Sequence, residues 1–154
     1  MYYCSMYSFE TKIRVRYGET DQMSFVYYGV YAQYYEVGRV ELLRSLGLSY
    51  KEIEAMGFAL PVVSMNINYK KPAFYDDKLT IRTTIKELPS AKITFHYETL
   101  NEKGELLNVG EVILVFINKK TSKQSSTNAF SKLWDSNFKL FCKPIFVPLI
   151  FVYI

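Results

Sequence analysis

The chain contains one histidine, His96, and two cysteines, Cys4 and Cys142, among its 154 residues. A single histidine excludes a zinc site assembled from a histidine cluster, and no metal site is expected. The cysteines lie far apart and follow neither metal nor redox spacing, so free thiols in a reducing compartment are expected rather than a disulfide framework. Positive charge is also thin. The formal net charge is +4, and only Lys70-Lys71 and Lys119-Lys120 place basic residues side by side. That falls short of a nucleic-acid footprint, although it would not repel an anionic small molecule. Membrane-spanning length is missing as well. Leu140 to Ile154 is strongly apolar but only 15 residues long and interrupted by Pro144 and Pro148, whereas a spanning helix needs roughly twenty apolar residues. Membrane contact by this tail is therefore not expected; packing on the domain or on a partner subunit is. Met1 to Glu10 lacks the basic region and apolar core of a signal peptide, so a cytoplasmic location is expected.

What the chain has in abundance is aromatic side chains, at 17% with 14 Tyr and 11 Phe. Tyrosine joins a large apolar body to a polar tip, which suits pocket walls and subunit interfaces; a compositional habit of the source is the plainer explanation. Hydrophobic and charged fractions of 49% and 22% fit one soluble domain, which at this length buries roughly two-thirds of its unfolded surface.

Phe9, Thr11, Ile13, Val15 and Tyr17 alternate with Glu10, Lys12, Arg14 and Arg16, the pattern of a half-buried strand. From Val30 to Leu46 the spacing becomes helical. Val30, Tyr34, Val37 and Leu42 mark one face, and Tyr31, Tyr35, Gly38 and Leu43 widen the apolar surface around most of the circumference. Such a helix is expected to be largely buried with a sheet around it. Gly47 suits a C-cap, and a short second helix should begin at Ser49 and end near Met56. Strand patterns follow over Val63–Tyr69, Lys78–Lys86, around Ile93–Tyr97 and over Leu106–Ile117, with turns at Tyr75-Asp76-Asp77 and Asn101-Glu102-Lys103-Gly104. The last strand is apolar on both faces from Val112, as expected of a central or covered strand. Short connections predict an antiparallel meander, and one long helix with about five strands predicts an α+β layer fold.

Between the first strand and the long helix runs Tyr17-Gly18-Glu19-Thr20-Asp21-Gln22-Met23, followed by Val26-Tyr27-Tyr28-Gly29. This sets an acidic loop before a helix N-terminus. A carboxylate, Asp21, can then face free backbone N–H groups, a pairing suited to attack on a carbonyl: the carboxylate supplies or activates the nucleophile and the helix end stabilises the oxyanion. On its own, Asp21 reads more readily as a capping or turn residue.

The motif from Tyr17 through Tyr34-Tyr35-Glu36-Val37-Gly38-Arg39, with Pro61-Val62-Val63-Ser64 and Tyr75-Asp76-Asp77, resembles the hotdog-fold acyl-CoA thioesterases of the 4-hydroxybenzoyl-CoA thioesterase/YbgC-like group. The resemblance covers roughly Phe9 to Lys120. It implies a hotdog fold, an antiparallel sheet of about five strands wrapped around one long central helix, spanning residues 8–120 and followed by a divergent apolar tail, 121–154. It implies hydrolysis of an acyl-CoA to a free acid and coenzyme A, with Asp21 as nucleophile or general base and the backbone N–H of Tyr28 polarising the thioester carbonyl. Tyr27, Gly29 and Ser64 take substrate-binding positions, and Lys92 a position that meets the nucleotide phosphates. The bland readings are a sheet-face hydroxyl for Ser64 and a solvated strand lysine for Lys92. No separate cofactor is implied, because coenzyme A is part of the substrate. The implied assembly is a homodimer, or a tetramer of dimers, with the pocket between subunits.

The motif departs from many relatives at Ser24, where they carry Gly, at Val30, where they carry Asn, and at Tyr28, where some carry His. A phenol titrating near 10 cannot shuttle protons at neutral pH, so the proton work falls to Asp21 and water. Other readings compatible with the shell are a non-hydrolytic acyl-thioester-binding protein and a thioesterase acting on acyl carrier protein. Glu36, Arg39 and Glu41 at helical spacing are expected to form structural ion pairs, and His96, sharing a strand face with Lys92, Thr94 and Glu98, reads as a surface histidine.

Overall fold

The computed structural model describes residues 7–124. Both cysteines and the apolar stretch Leu140–Ile154 lie outside the described residues. Five strands form one antiparallel sheet: β1 (Tyr7–Arg14), β3 (Val62–Tyr69), β4 (Lys78–Ile85), β5 (Lys92–Leu100) and β6 (Leu106–Val115), in the order β1-β4-β5-β6-β3. Helix α1 (Val30–Ser45) lies across it, and the short α2 (Tyr50–Ala55) follows; β2 (Phe58–Ala59) and β7 (Ile117–Asn118) pair in a small separate ladder. This is the expected α+β arrangement of five strands and one long helix.

The alternation along β1 holds, but its ladder ends at Arg14 opposite Lys78 rather than continuing to Tyr17. The Val15 N–H donates to the Asp77 carbonyl at 2.9 Å, and a single 3₁₀ turn, Tyr17–Glu19, then bends the chain into the acidic loop. Meander connectivity holds for β4, β5 and β6 only. β3 sits beyond β6 instead of beside β4, which gives the doubly apolar β6 a neighbour on each side and leaves β3 as a sheet edge. A break at Phe116 separates β6 from β7, so the expected single run to Ile117 is two strands.

Helix α1 buries Tyr31, Tyr34, Tyr35, Gly38, Leu42 and Leu43 on one face, while Gln33, Glu36, Val37 and Arg44 are exposed. Among the described residues it is therefore covered on one side rather than all round, because the sheet curves over that side alone. Gly38 sets the approach: a Cβ there would stand 2.5 Å from Thr83 Oγ1 and 3.0 Å from Ile81 Cγ2, so only glycine lets the helix rest on β4. Tyr35 stacks on Tyr97 of β5 with centroids 4.0 Å apart and planes 4° from parallel, and its hydroxyl donates to Asn108 Oδ1 on β6 at 2.6 Å. Burying these rings is worth roughly 1.5–3 kcal/mol per side chain and supplies most of the drive to dock the helix.

Gly47 takes a positive φ of 76° after α1, as a C-terminal glycine does. Ser49 caps α2 with a reciprocal bond to Glu52. The expected ion pairs are found on α1, with Arg39 3.7 Å from Glu36 and 3.1 Å from the Tyr50 hydroxyl, while Glu41 pairs with Arg44. Among the described residues no helix is long and apolar enough to cross a membrane.

Candidate active site

The loop from Val15 to Gly29 is held from both ends. Glu19 is buried and accepts hydrogen bonds from the Arg16 backbone N–H at 2.7 Å, from Arg16 Nε at 2.8 Å and from the Tyr34 hydroxyl at 2.7 Å. Burial alone would raise its carboxyl, but these bonds outweigh burial and hold it below the ordinary carboxylate range. The Glu19 carbonyl also accepts the Tyr27 N–H at 2.9 Å, and Val26 N–H reaches the Ala73 carbonyl at 2.9 Å. The Glu19 side chain thus ties the loop to α1, and backbone bonds at Val15 and Val26 tie it to the chain leading into β4.

Asp21 sits at the loop's open end. Its Oδ1 accepts the N–H groups of Met23 at 2.8 Å and Phe25 at 3.3 Å, closing a tight turn in which Ser24 N–H also reaches the Asp21 carbonyl. Ser24 adopts a positive φ of 63°, the conformation that glycine takes without strain. No donor among the described residues reaches Asp21 Oδ2. Asp21 therefore has a turn-forming oxygen and a spare one.

At the start of α1 the Val30 N–H donates to the Tyr27 carbonyl at 2.9 Å, fixing the Tyr27–Tyr28 peptide plane. Carbonyl and N–H point in opposite directions across a trans peptide, so the Tyr28 N–H is turned away from the helix, and it has no acceptor among the described residues. Gly29 makes room for the loop, since a Cβ there would lie 2.9 Å from Tyr27 Cε1. The Tyr27 and Tyr28 rings lie 4.4 Å apart and are exposed.

Asp21 and Tyr28 line one open groove of about 350 Å³, walled by Met23, Phe25 and Tyr31 and closed by Tyr69, Lys70, Lys71 and Pro72 at the end of β3. Burial pushes the Tyr31 hydroxyl up to about 12 and raises that of Tyr69. Neither phenol gives up its proton near neutrality, and among the described residues Asp21 is the sole carboxylate lining the groove. Tyr69, Lys70 and Lys71 were not legible as site residues; the one sequence signal was that the β3 alternation ends at Tyr69, just before the Lys-Lys-Pro run. Larger hollows lie elsewhere. One of about 580 Å³ on the outer sheet face is lined by Arg82, His96, Glu98 and Glu111, side chains already engaged with one another. His96 lies there, half-exposed, as expected.

Two residues anticipated from the sequence stand apart from the groove. Ser64 is exposed on the edge strand β3, and Lys92 is exposed at the start of β5. Within one chain the fold does not bring them beside Asp21. Among the described residues no three His, Cys, Asp or Glu side chains are grouped closely enough to hold a metal ion.

A family model described as the thioesterase-like superfamily matches residues 15–134. The chain belongs to this superfamily. It is 34% identical over 109 residues to the acyl-CoA thioester hydrolase YbgC of Escherichia coli O157:H7, an alignment spanning 71% of this chain and 81% of that protein. It is 41% identical over 101 residues to YneP of Bacillus subtilis, named as a candidate acyl-CoA thioesterase, covering 66% and 73%. Among solved structures, a DHNA-CoA thioesterase from Staphylococcus aureus superposes with a TM-score of 0.81 at 34% identity, covering 87% of this chain and 90% of that one. The five-stranded sheet and long helix are the hotdog fold that the chain shares with these thioesterases, and the chain is a thioester hydrolase of that fold.

Proposed function

We propose that the protein hydrolyses acyl-CoA thioesters to a free acid and coenzyme A, with Asp21 as the catalytic carboxylate. One observation carries this reading: Asp21, with a carboxylate oxygen that no described residue donates to, and Tyr28, with an N–H that no described residue accepts, line the same groove. In the water route, Asp21 takes a proton from a water molecule as its oxygen adds to the thioester carbon. Negative charge collects on the carbonyl oxygen, where the Tyr28 N–H and the positive end of α1 stabilise it. The tetrahedral species then collapses, the C–S bond breaks, and the coenzyme A thiolate leaves with the proton from Asp21. In the nucleophilic route, Asp21 attacks the carbonyl itself, coenzyme A departs, and water cleaves the resulting anhydride. Tyr28 contributes its backbone, not its phenol, to either route.

The aromatic walls Phe25, Tyr31 and Tyr69 favour an aromatic acyl group. The likeness to the DHNA-CoA thioesterase supports the same class. Among the described residues nothing pairs with the outer edge of β3, which exposes Val62, Val63, Met65 and Tyr69, and an exposed apolar strand edge invites pairing with a second copy. We take the working unit as a homodimer, or a tetramer of such dimers, in which Ser64 and Lys92 of one subunit serve the groove of the other.

Thiol release from a panel of aromatic and fatty acyl-CoAs tests the reading. Wild type is expected to turn over, fastest with the aromatic thioesters, and Asp21→Asn to lose nearly all turnover. Undiminished turnover by Asp21→Asn contradicts the mechanism. Tight binding with no turnover by wild type favours a non-hydrolytic acyl-thioester binder, and turnover confined to acyl carrier protein thioesters favours the carrier-protein class.

A further inference from the structure

We propose that Tyr69 is a positioning residue for the oxyanion site, acting through the carbonyl of Tyr28. This rests on the reading that the Tyr28 N–H polarises the thioester. Tyr69 is the last residue of the edge strand β3 and 41 positions from Tyr28, yet its hydroxyl donates to the Tyr28 carbonyl at 3.0 Å. That carbonyl faces out of the helix. The first turn of α1 uses the carbonyls of Tyr27 and Gly29 as acceptors, from Val30 and Ala32, and Tyr69 supplies the single donor to Tyr28 among the described residues.

The two peptide planes flanking Tyr28 are therefore fixed from different directions. The Tyr27–Tyr28 plane, which carries the Tyr28 N–H, is held by Val30 from within the helix start. The Tyr28–Gly29 plane is held by Tyr69 from the sheet. Gly29 is the one residue of this turn without a side chain, so without the second bond the Tyr28–Gly29 peptide can rotate. Rotation there changes ψ at Tyr28 and lets the turn relax, which swings the N–H away from its aim. An oxyanion donor works because it is aimed before the reaction, so loss of aim costs rate rather than substrate affinity. The ring of Tyr69 is itself fixed: it packs edge-on against Tyr31 with centroids 5.5 Å apart. The hydroxyl is thus delivered by a held ring to a carbonyl that the helix leaves unused.

Tyr69→Phe removes the hydroxyl and keeps the ring. With the best acyl-CoA of the panel, kcat is expected to fall about fivefold to tenfold, the scale of one hydrogen bond, with KM within about twofold and the melting temperature unchanged. Amide hydrogen exchange at Val30, whose N–H closes this turn onto the Tyr27 carbonyl, should quicken in the same variant. Wild-type kcat for Tyr69→Phe while Asp21→Asn is inactive would overturn the role of Tyr69 and leave the mechanism standing. Full rates for both variants would overturn the mechanism, and the role of Tyr69 with it. A drop in kcat matched by a lower melting temperature and unaltered Val30 exchange would also overturn it, since that is loss of folding rather than of aim.

Discussion

Two carboxylates two residues apart in the same loop meet opposite fates. Glu19 is buried, and both of its oxygens are occupied, by the Arg16 backbone, the Arg16 guanidinium and the Tyr34 hydroxyl. Asp21 is half-buried at the rim of a groove, with one oxygen committed to its own turn and the other without a donor among the described residues. The difference teaches how the loop divides its labour. A carboxylate whose acceptor sites are all filled organises structure, because moving it breaks several charge-assisted bonds at once. A carboxylate with a spare oxygen at a groove wall can take a proton or attack a carbon.

Substitutions at the two positions should separate these roles. The largest effect is expected for Asp21→Asn, with kcat lowered at least about a hundredfold, the scale of losing a general base. Its melting temperature should hardly move, because the Asn carbonyl can still accept from Met23 and Phe25. Next, Glu19→Gln is expected to cost about 2 kcal/mol of stability through lost charge-assisted bonds, lowering the melting temperature by roughly 4–8 °C in a chain of this size. Residual folded protein should retain measurable turnover. The pH dependence of that second effect follows from sign. The Glu19 carboxyl lies below its ordinary 4.5 in the fold, so its contribution is complete above that value and is lost as pH falls through the lower, folded value. Thermal melts of wild type and Glu19→Gln should differ by a constant amount from pH 7 to about 5.5 and converge in acid. A gap that widens in acid would contradict the assignment.

The smallest effect is expected at Ser24. Its positive φ of 63° costs a non-glycine residue roughly 1 kcal/mol or somewhat more, and glycine relieves that at the expense of greater freedom in the unfolded chain. Ser24→Gly should raise stability by less than about 1 kcal/mol with kcat little changed, as read from melts and thiol release together. A large gain in kcat would mean that the serine distorts the Asp21 turn.

Periodicity made the long helix, five strands and the Ser49 cap legible, because each is a local pattern. The resemblance of the loop motif pointed to Asp21 and to Tyr28. What could not be read locally was set by pairing at a distance. β3 pairs with β6 instead of β4, and β1 stops where Val15 bonds to Asp77. Neither choice leaves a trace in the spacing of apolar residues. Glu19 read only as part of an acidic loop because its partner Tyr34 lies 15 residues away. Tyr69 read only as the last residue of the Val63–Tyr69 strand pattern, since its bond to Tyr28 exists only once the sheet edge lies beside the helix start. Ser64 and Lys92 show the converse: residues matched by motif that a single chain does not gather into the groove.

The central claim is that catalytic duty belongs to Asp21 and structural duty to Glu19. The most direct test is kcat measured for Asp21→Asn and Glu19→Gln side by side, each normalised to its folded fraction from the melting curve. The account predicts a loss of at least about a hundredfold for Asp21→Asn and a normalised kcat within about threefold of wild type for Glu19→Gln, where only an indirect hydrogen-bond contribution is removed. Comparable normalised losses at both positions, or the larger loss at Glu19, would contradict it.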